Sequence, residues 1–188
     1  MPRPKLHSDE TILDAAKSVL KRCGPTDFTL QSVAEEVGIS RAALIQRFSN
    51  KENLLRCVME RGVVQTREHL EAFPVKQSMD GLLELLDELC KVMGAGKRFE
   101  TNLLIAWHEA RDPELRRLSQ ARFALVQDAI AKRIPKSCPI PAAEAANLLH
   151  TVISGAAMQW VVSSEGRLDQ YVQTRVRLAV ARLLKPSN

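Results

Sequence analysis

The stretch Thr29–Lys51, TLQSVAEEVGISRAALIQRFSNK, admits very few folds. Thr29 is a good N-cap, with Phe28 just outside and Val33 four positions in, spaced for a hydrophobic staple. Gly38 ends that helix, where a positive φ is needed and glycine adopts it most easily. Ser40 caps the next helix, and Ile39 with Leu44 repeats the staple. Ser49 is placed to cap a third, with Glu52 completing a capping box. The spacing predicts a helix of about nine residues, a turn of about two or three, and a second helix of about eight. Two short helices in such close order form a helix-turn-helix unit.

Leu30, Val33, Ala34, Val37, Ile39, Leu44 and Phe48 supply its buried side. Ala34 is small and faces the crossing helix, so a larger side chain there would push the pair apart. Ser40, Arg41, Ala42, Ala43, Ile45, Gln46 and Arg47 are left outside on the second helix. From Val37 to Lys51, both included, there are three basic residues and no Asp or Glu. The second helix of such a unit can enter a DNA major groove, and a duplex carries dense negative charge. Lys51 sits in the first turn of its helix, where the macrodipole already disfavours a cation. A bound phosphate reverses that, held by the free N–H groups and the ammonium together. The competing reading of Lys51 is a solvated surface lysine.

The chain has 188 residues, enough for one larger domain or two small ones. Ala, Leu, Arg and Glu are abundant, and no run alternates β-branched with aromatic residues. An all-α fold of about nine helices is therefore expected. Net charge is +5, and the pI of about 9.2 suits a polyanionic partner. The excess is not concentrated early: in the first 60 residues nine Lys and Arg meet eight Asp and Glu. The informative feature is local placement on the second helix. Arg167, Arg175, Arg177, Arg182 and Lys185 make the last helix basic, and read as a solvated face.

Cys23, Cys57, Cys90 and Cys138 are widely spaced, with no CxxC. Reduced thiols in a cytoplasmic protein are expected. The start, MPRPKLHSDE, has no apolar run and is no signal peptide. Ala142–Val162 contains Glu144, Asn147, His150 and Gln159, too polar for a membrane span.

Pro2, Arg3, Pro4 and Lys5 form a short basic arm able to reach a minor groove or a phosphate. Ser8 caps the first helix, Ile12, Ala16, Val19, Leu20 and Cys23 form its stripe, and Gly24-Pro25 stops it. This gives a helix-turn-helix domain over residues 1–50. Residues 51–188 are expected to form a ligand-binding and dimerisation domain, with a connector helix over 51–73 whose tilt would move the second helix of the unit. Further helices are expected over 79–93, 98–111, 113–134, 142–164 and from about Arg167 to Leu184. The last two, rich in small and aliphatic residues, suit an intermolecular four-helix bundle. The seam is expected on Leu149, Val152, Ile153, Ala156, Trp160, Val176 and Val180. The competing reading is that these helices only close the monomer's own core.

Over Thr29–Leu55 the chain closely resembles the TetR family of bacterial transcriptional repressors, and ISGAAMQW at Ile153–Trp160 is similar to the family's Gly-containing eighth helix. The resemblance implies a homodimer with an N-terminal DNA-binding domain, a palindromic double-stranded DNA operator, and release by a small molecule bound in the core. Carried over by position, Thr29, Arg41 and Lys51 match phosphate or base contacts, with Ser40, Ala42, Ile45, Gln46 and Arg47 on the same surface. Ile45 stands where the family usually has Tyr, so a phenol contact to phosphate is missing. Arg47 stands where His or Tyr is common and is a candidate replacement.

A partly apolar effector pocket is expected among the middle helices, with Leu86, Cys90, Met93, Leu103, Trp107, His108, Phe123, Met158, Gln159 and Trp160 as candidates. His108-Glu109-Ala110-Arg111-Asp112 is half of a helical zinc-hydrolase motif, with Asp112 where the second His would stand. No Ser-His-Asp pattern, Walker loop or Gly-rich dinucleotide turn appears. The chain is therefore not expected to be an enzyme, and no cofactor, metal or membrane partner is expected. The competing functions are a helical protein-interaction module and a small helical enzyme.

Overall fold

The computed structural model describes residues 7–184, which form nine helices and no strand. They are α1 (Asp9–Asp27), α2 (Leu30–Val37), α3 (Arg41–Phe48), α4 (Lys51–Glu71), α5 (Met79–Lys91), α6 (Phe99–Arg111), α7 (Pro113–Ala131), α8 (Ala142–Ser163) and α9 (Leu168–Leu183). The all-α expectation holds. The basic arm at Pro2, Arg3, Pro4 and Lys5 lies outside the described residues, as does Lys185. The chain divides into two compact units: Met1–Gln65 with Glu100–Ala121, and Thr66–Phe99 with Arg122–Asn188.

In the first unit the stripe Ile12, Ala16, Val19 and Leu20 of α1 packs into one core with Phe28, Val33, Ala34, Leu44 and Phe48. Leu54, Leu55, Val58 and Met59 of α4 and Leu115 of α7 complete it. A small helical domain buries too little apolar surface to be secure, and these later helices supply the remainder. α1 is interrupted at Gly24, whose φ of +77° takes it out of the helix, and Phe28 N–H closes a last turn on the Gly24 carbonyl at 3.1 Å. A polar ladder joins α1 to α4. Arg61 grips Asp14 with two bonds of 2.9 and 3.0 Å, and Lys17 donates to Gln65 at 2.6 Å. The Arg61 hydrogen bond holds the Asp14 carboxyl below its ordinary range.

Ser49 does not cap α4, a correction to the sequence reading. It ends α3 with φ of +66°, its N–H donating to the Ile45 carbonyl at 2.8 Å. Asn50 takes the cap instead, its Oδ1 accepting from Asn53 N–H at 2.7 Å. An Asx side chain is at least as good a cap as serine, and one residue had to absorb the sharp turn.

In the second unit α8 packs along α9, and α5 packs against α9. Leu82, Leu85, Leu86 and Cys90 of α5 share a core with Leu149 and Ile153 of α8 and with Val172, Val176 and Val180 of α9. The break after α5 falls at Gly94 and Gly96, both with positive φ. Gly96 lies beneath the Trp160 ring, so closely that a methyl group there would run into it. The Gly94 carbonyl accepts from Asp169 N–H at 3.0 Å. Arg133 is 2% exposed. It donates to the carbonyls of Ala129 (2.8 Å), Phe73 (2.8 Å) and Pro74 (3.0 Å), fastening the end of α4 to α7.

The seven residues expected at a seam between copies differ in how much surface they keep. Leu149, Ile153, Ala156, Val176 and Val180 are buried within the single chain, and Val152 and Trp160 are half-buried. An apolar stripe on α8 meets one on α9 in the same molecule and takes up the five buried side chains.

Candidate nucleic-acid interface

The helix-turn-helix unit is built by its caps. Thr29 Oγ1 accepts from Ser32 N–H at 3.1 Å, and Ser32 Oγ accepts in return from Thr29 N–H at 3.2 Å. A capping box therefore opens α2. Gly38, with φ of +74°, closes α2 through bonds to the Ala34 and Glu35 carbonyls. Ser40 opens α3, its Oγ accepting from Ala43 N–H at 3.1 Å. Ala34 is buried, and its small side chain lets α2 and α3 approach.

On α3 only Leu44 and Phe48 are buried. Ser40, Arg41, Ala42, Ile45 and Gln46 are exposed, and the pairs Arg41 with Ile45 and Ala42 with Gln46, each four apart, neighbour one another on the helix surface. Thr29 is exposed on the chain entering α2. The Arg41 side chain makes no hydrogen bond or ion pair with any described residue. The other two basic candidates are engaged. Lys51 Nζ donates to the Pro25 carbonyl at 3.2 Å. Arg47 Nη1 donates to the His7 carbonyl at 2.8 Å and lies 3.4 Å from Asp9 Oδ1.

The pocket candidates are dispersed. Leu86 and Cys90 are filled core positions, and burial pushes the Cys90 thiol up to about 11. Burial also raises Cys57, so neither sulfur is a ready thiolate. Met93 and Leu103 are half-buried, and Gln159 is exposed. Trp107 is 68% exposed, Phe123 51% and Met158 63%. Of the ten, Trp107 and His108 meet in one groove of about 490 Å³, lined also by Pro25, Leu104 and Arg111. Phe123 packs edge-on against His150 at 4.9 Å, where burial lowers the imidazole below its ordinary 6.5. Sequence reasoning missed that α6 buries Thr101 and Glu109 instead of Leu104 and Trp107. Glu109 accepts from Ser119 Oγ at 2.6 Å, a partner ten residues away that no local pattern reveals.

Asp112 is taken up as the cap of α7, accepting from Glu114 and Leu115 N–H at 2.9 and 3.0 Å. No group of three or more His, Cys, Asp or Glu among the described residues could hold a metal ion. No described helix is long and apolar enough to cross a membrane.

The model of the bacterial regulatory proteins of the tetR family matches residues 12–58, from α1 into α4. The chain is 30% identical over 147 residues to an HTH-type transcriptional regulator, YfiR, of Bacillus subtilis, an alignment covering 70% of this chain and 67% of that protein. The chain belongs to the TetR family. Solved structures share the TetR fold along almost the whole chain. A transcriptional regulator from Rhodococcus superposes with a TM-score of 0.79 at 18% identity, covering 94% of this chain and 96% of that one. The triclosan complex of SmeT, repressor of a Stenotrophomonas maltophilia multidrug efflux pump, gives 0.72 at 20%, covering 95% and 92%. FadR of Bacillus subtilis with stearoyl-CoA gives 0.68 at 16%, covering 93% and 98%. Among the TetR features described above, the capped α2–α3 pair is where the family model and the exposed surface coincide.

Proposed function

We propose that this TetR-family regulator is a dimeric repressor that reads a palindromic operator with α3 and leaves it when a small molecule binds. The observation carrying this reading is the exposed face of Ser40, Arg41, Ala42, Ile45 and Gln46, free of acidic residues and presenting a guanidinium without an internal partner. Thr29 opens α2 and Lys51 opens α4, and both would add phosphate contacts. An ammonium has three donors, so Lys51 can keep its bond to Pro25 and still take a phosphate. The first fifty residues would be the DNA-reading part and the remainder the effector and dimer part. α4, which contributes to both units, would transmit the change.

A second copy suits the outer face of α8. Leu148, Thr151, Gly155, Met158 and Val162 are exposed there, with Leu178 on α9. Open space surrounds Gly155 where a side chain would stand, so a partner helix can come close. Two copies would place two α3 helices about one DNA turn, or a multiple, apart. Effector binding would favour a dimer whose spacing no longer fits, and the coupling must be reciprocal. The solved relatives holding triclosan and stearoyl-CoA support a partly apolar effector.

Selection of genomic fragments by the purified protein, followed by sequencing, tests this reading. Recovered sites should be two-fold symmetric. On such a duplex Arg41→Ala and Lys51→Ala should each weaken binding and lower the slope of log affinity against log salt by about one. Unchanged affinity and slope in both variants, or no fragment retained at low salt, would leave a helical protein-interaction module as the better account.

A further inference from the structure

Arg47 is basic, lies on α3, and occupies a position from which a replacement phosphate contact is expected. Its surroundings argue otherwise. Its side chain is only 18% exposed. The guanidinium is turned to the start of α1, donating to the His7 carbonyl at 2.8 Å beside the Asp9 carboxylate at 3.4 Å. The His7 carbonyl precedes the cap residue Ser8, so no helical N–H of α1 returns to it, whereas the Ser8 carbonyl accepts from Ile12. The carboxylate offsets the guanidinium charge, and it would repel a phosphate brought to the same place.

The geometry of α3 makes such a tie consequential. The fully buried side chains of this short helix, Leu44 and Phe48, form one stripe four residues apart, which by itself fixes its roll poorly. Arg47 stands beside that stripe and fastens the rod to α1. Charge-assisted bonds of this kind are directional as well as strong.

We propose that Arg47 is a positioning residue, which sets the roll of α3 against α1 and neutralises no phosphate. Arg41 is then the one basic residue of α3 that faces the duplex. This rests on the DNA-binding reading above, but half of its test needs no DNA.

The test uses Arg47→Met in the full-length protein, which keeps the apolar stem and removes the donors. Hydrogen exchange is followed by mass spectrometry without DNA. Binding is measured at several salt concentrations to the duplex selected by the unsubstituted protein, with Arg41→Met alongside. The expected result is faster exchange in the first turn of α1 and in α3. Affinity should fall by about tenfold, the size of one charge-assisted bond, with an unchanged salt slope, while Arg41→Met lowers the slope by about one. Exchange unchanged in α1, or a slope lowered by about one in Arg47→Met, overturns the proposal. So does unchanged affinity. If Arg41→Met leaves the slope untouched, the docking of α3 fails, and the exchange result still judges the tie between Arg47 and α1. Arg47→Gln, which retains a neutral donor, gives the same readings if the methionine variant does not fold.

Discussion

Gly96 combines two constraints that usually occur apart. Its φ of +86° is unfavourable for any residue with a side chain, and the ring of Trp160 occupies the space a side chain would need. Either would be tolerable alone in a surface loop. Together they predict that Gly96→Ala costs about 2–4 kcal/mol, from the left-handed backbone and the overpacking combined. Chemical denaturation measures the loss, and Trp160 emission should shift because its ring must move. A stability within about 0.5 kcal/mol of the unsubstituted protein would show that the ring gives way freely. The sequence announces a break at Gly94-Ala95-Gly96 but not its partner, since Trp160 is far along the chain. Arg41 and Arg47 look alike in sequence for the same reason: only the folded position of Asp9 and His7 separates an outward guanidinium from an inward one.

Caps and breaks were legible at the level of the element because they are local chemistry. Thr29, Gly38 and Ser40 act where spacing places them. The exception, Asn50 in place of Ser49, arose because two adjacent residues were both able caps and tertiary packing chose the register. α6 marks a different limit. Several of its residues are large and apolar, yet its buried positions are Thr101 and Glu109, and the Ser119 hydroxyl that Glu109 accepts from is a partner that periodicity does not see. For α2 the prediction is direct. Thr29→Ala removes the cap hydroxyl and should destabilise the protein by about 1 kcal/mol, whereas Thr29→Ser should cost a few tenths at most. Thermal melting of the two variants side by side decides it, and equal losses would mean that the hydroxyl contributes little.

For the whole molecule, the all-α architecture followed from composition and helical periodicity, while the use of each apolar stripe did not. Periodicity shows that α8 has an inner face; it does not say whether the other side of the contact belongs to the same chain. Leu149, Ile153 and Ala156 are claimed by α9, which moves the proposed dimer seam to Met158 and Val162, the latter 89% exposed. Met158→Glu should therefore yield a monomer by analytical ultracentrifugation and abolish binding to a two-fold symmetric duplex, without unfolding either unit. A glutamate variant that remains dimeric and binds DNA would remove α8 from the interface.

The carbonyl cage around Arg133 has a consequence for how α4 can respond. A guanidinium keeps its proton throughout the biological pH range. Here burial lowers its affinity for that proton without bringing an acidic partner that acid could neutralise. The tie at Phe73 and Pro74 is thus insensitive to acidity and shielded from salt. Whatever the pH or ionic strength, the chain leaving α4 therefore stays fastened to the end of α7.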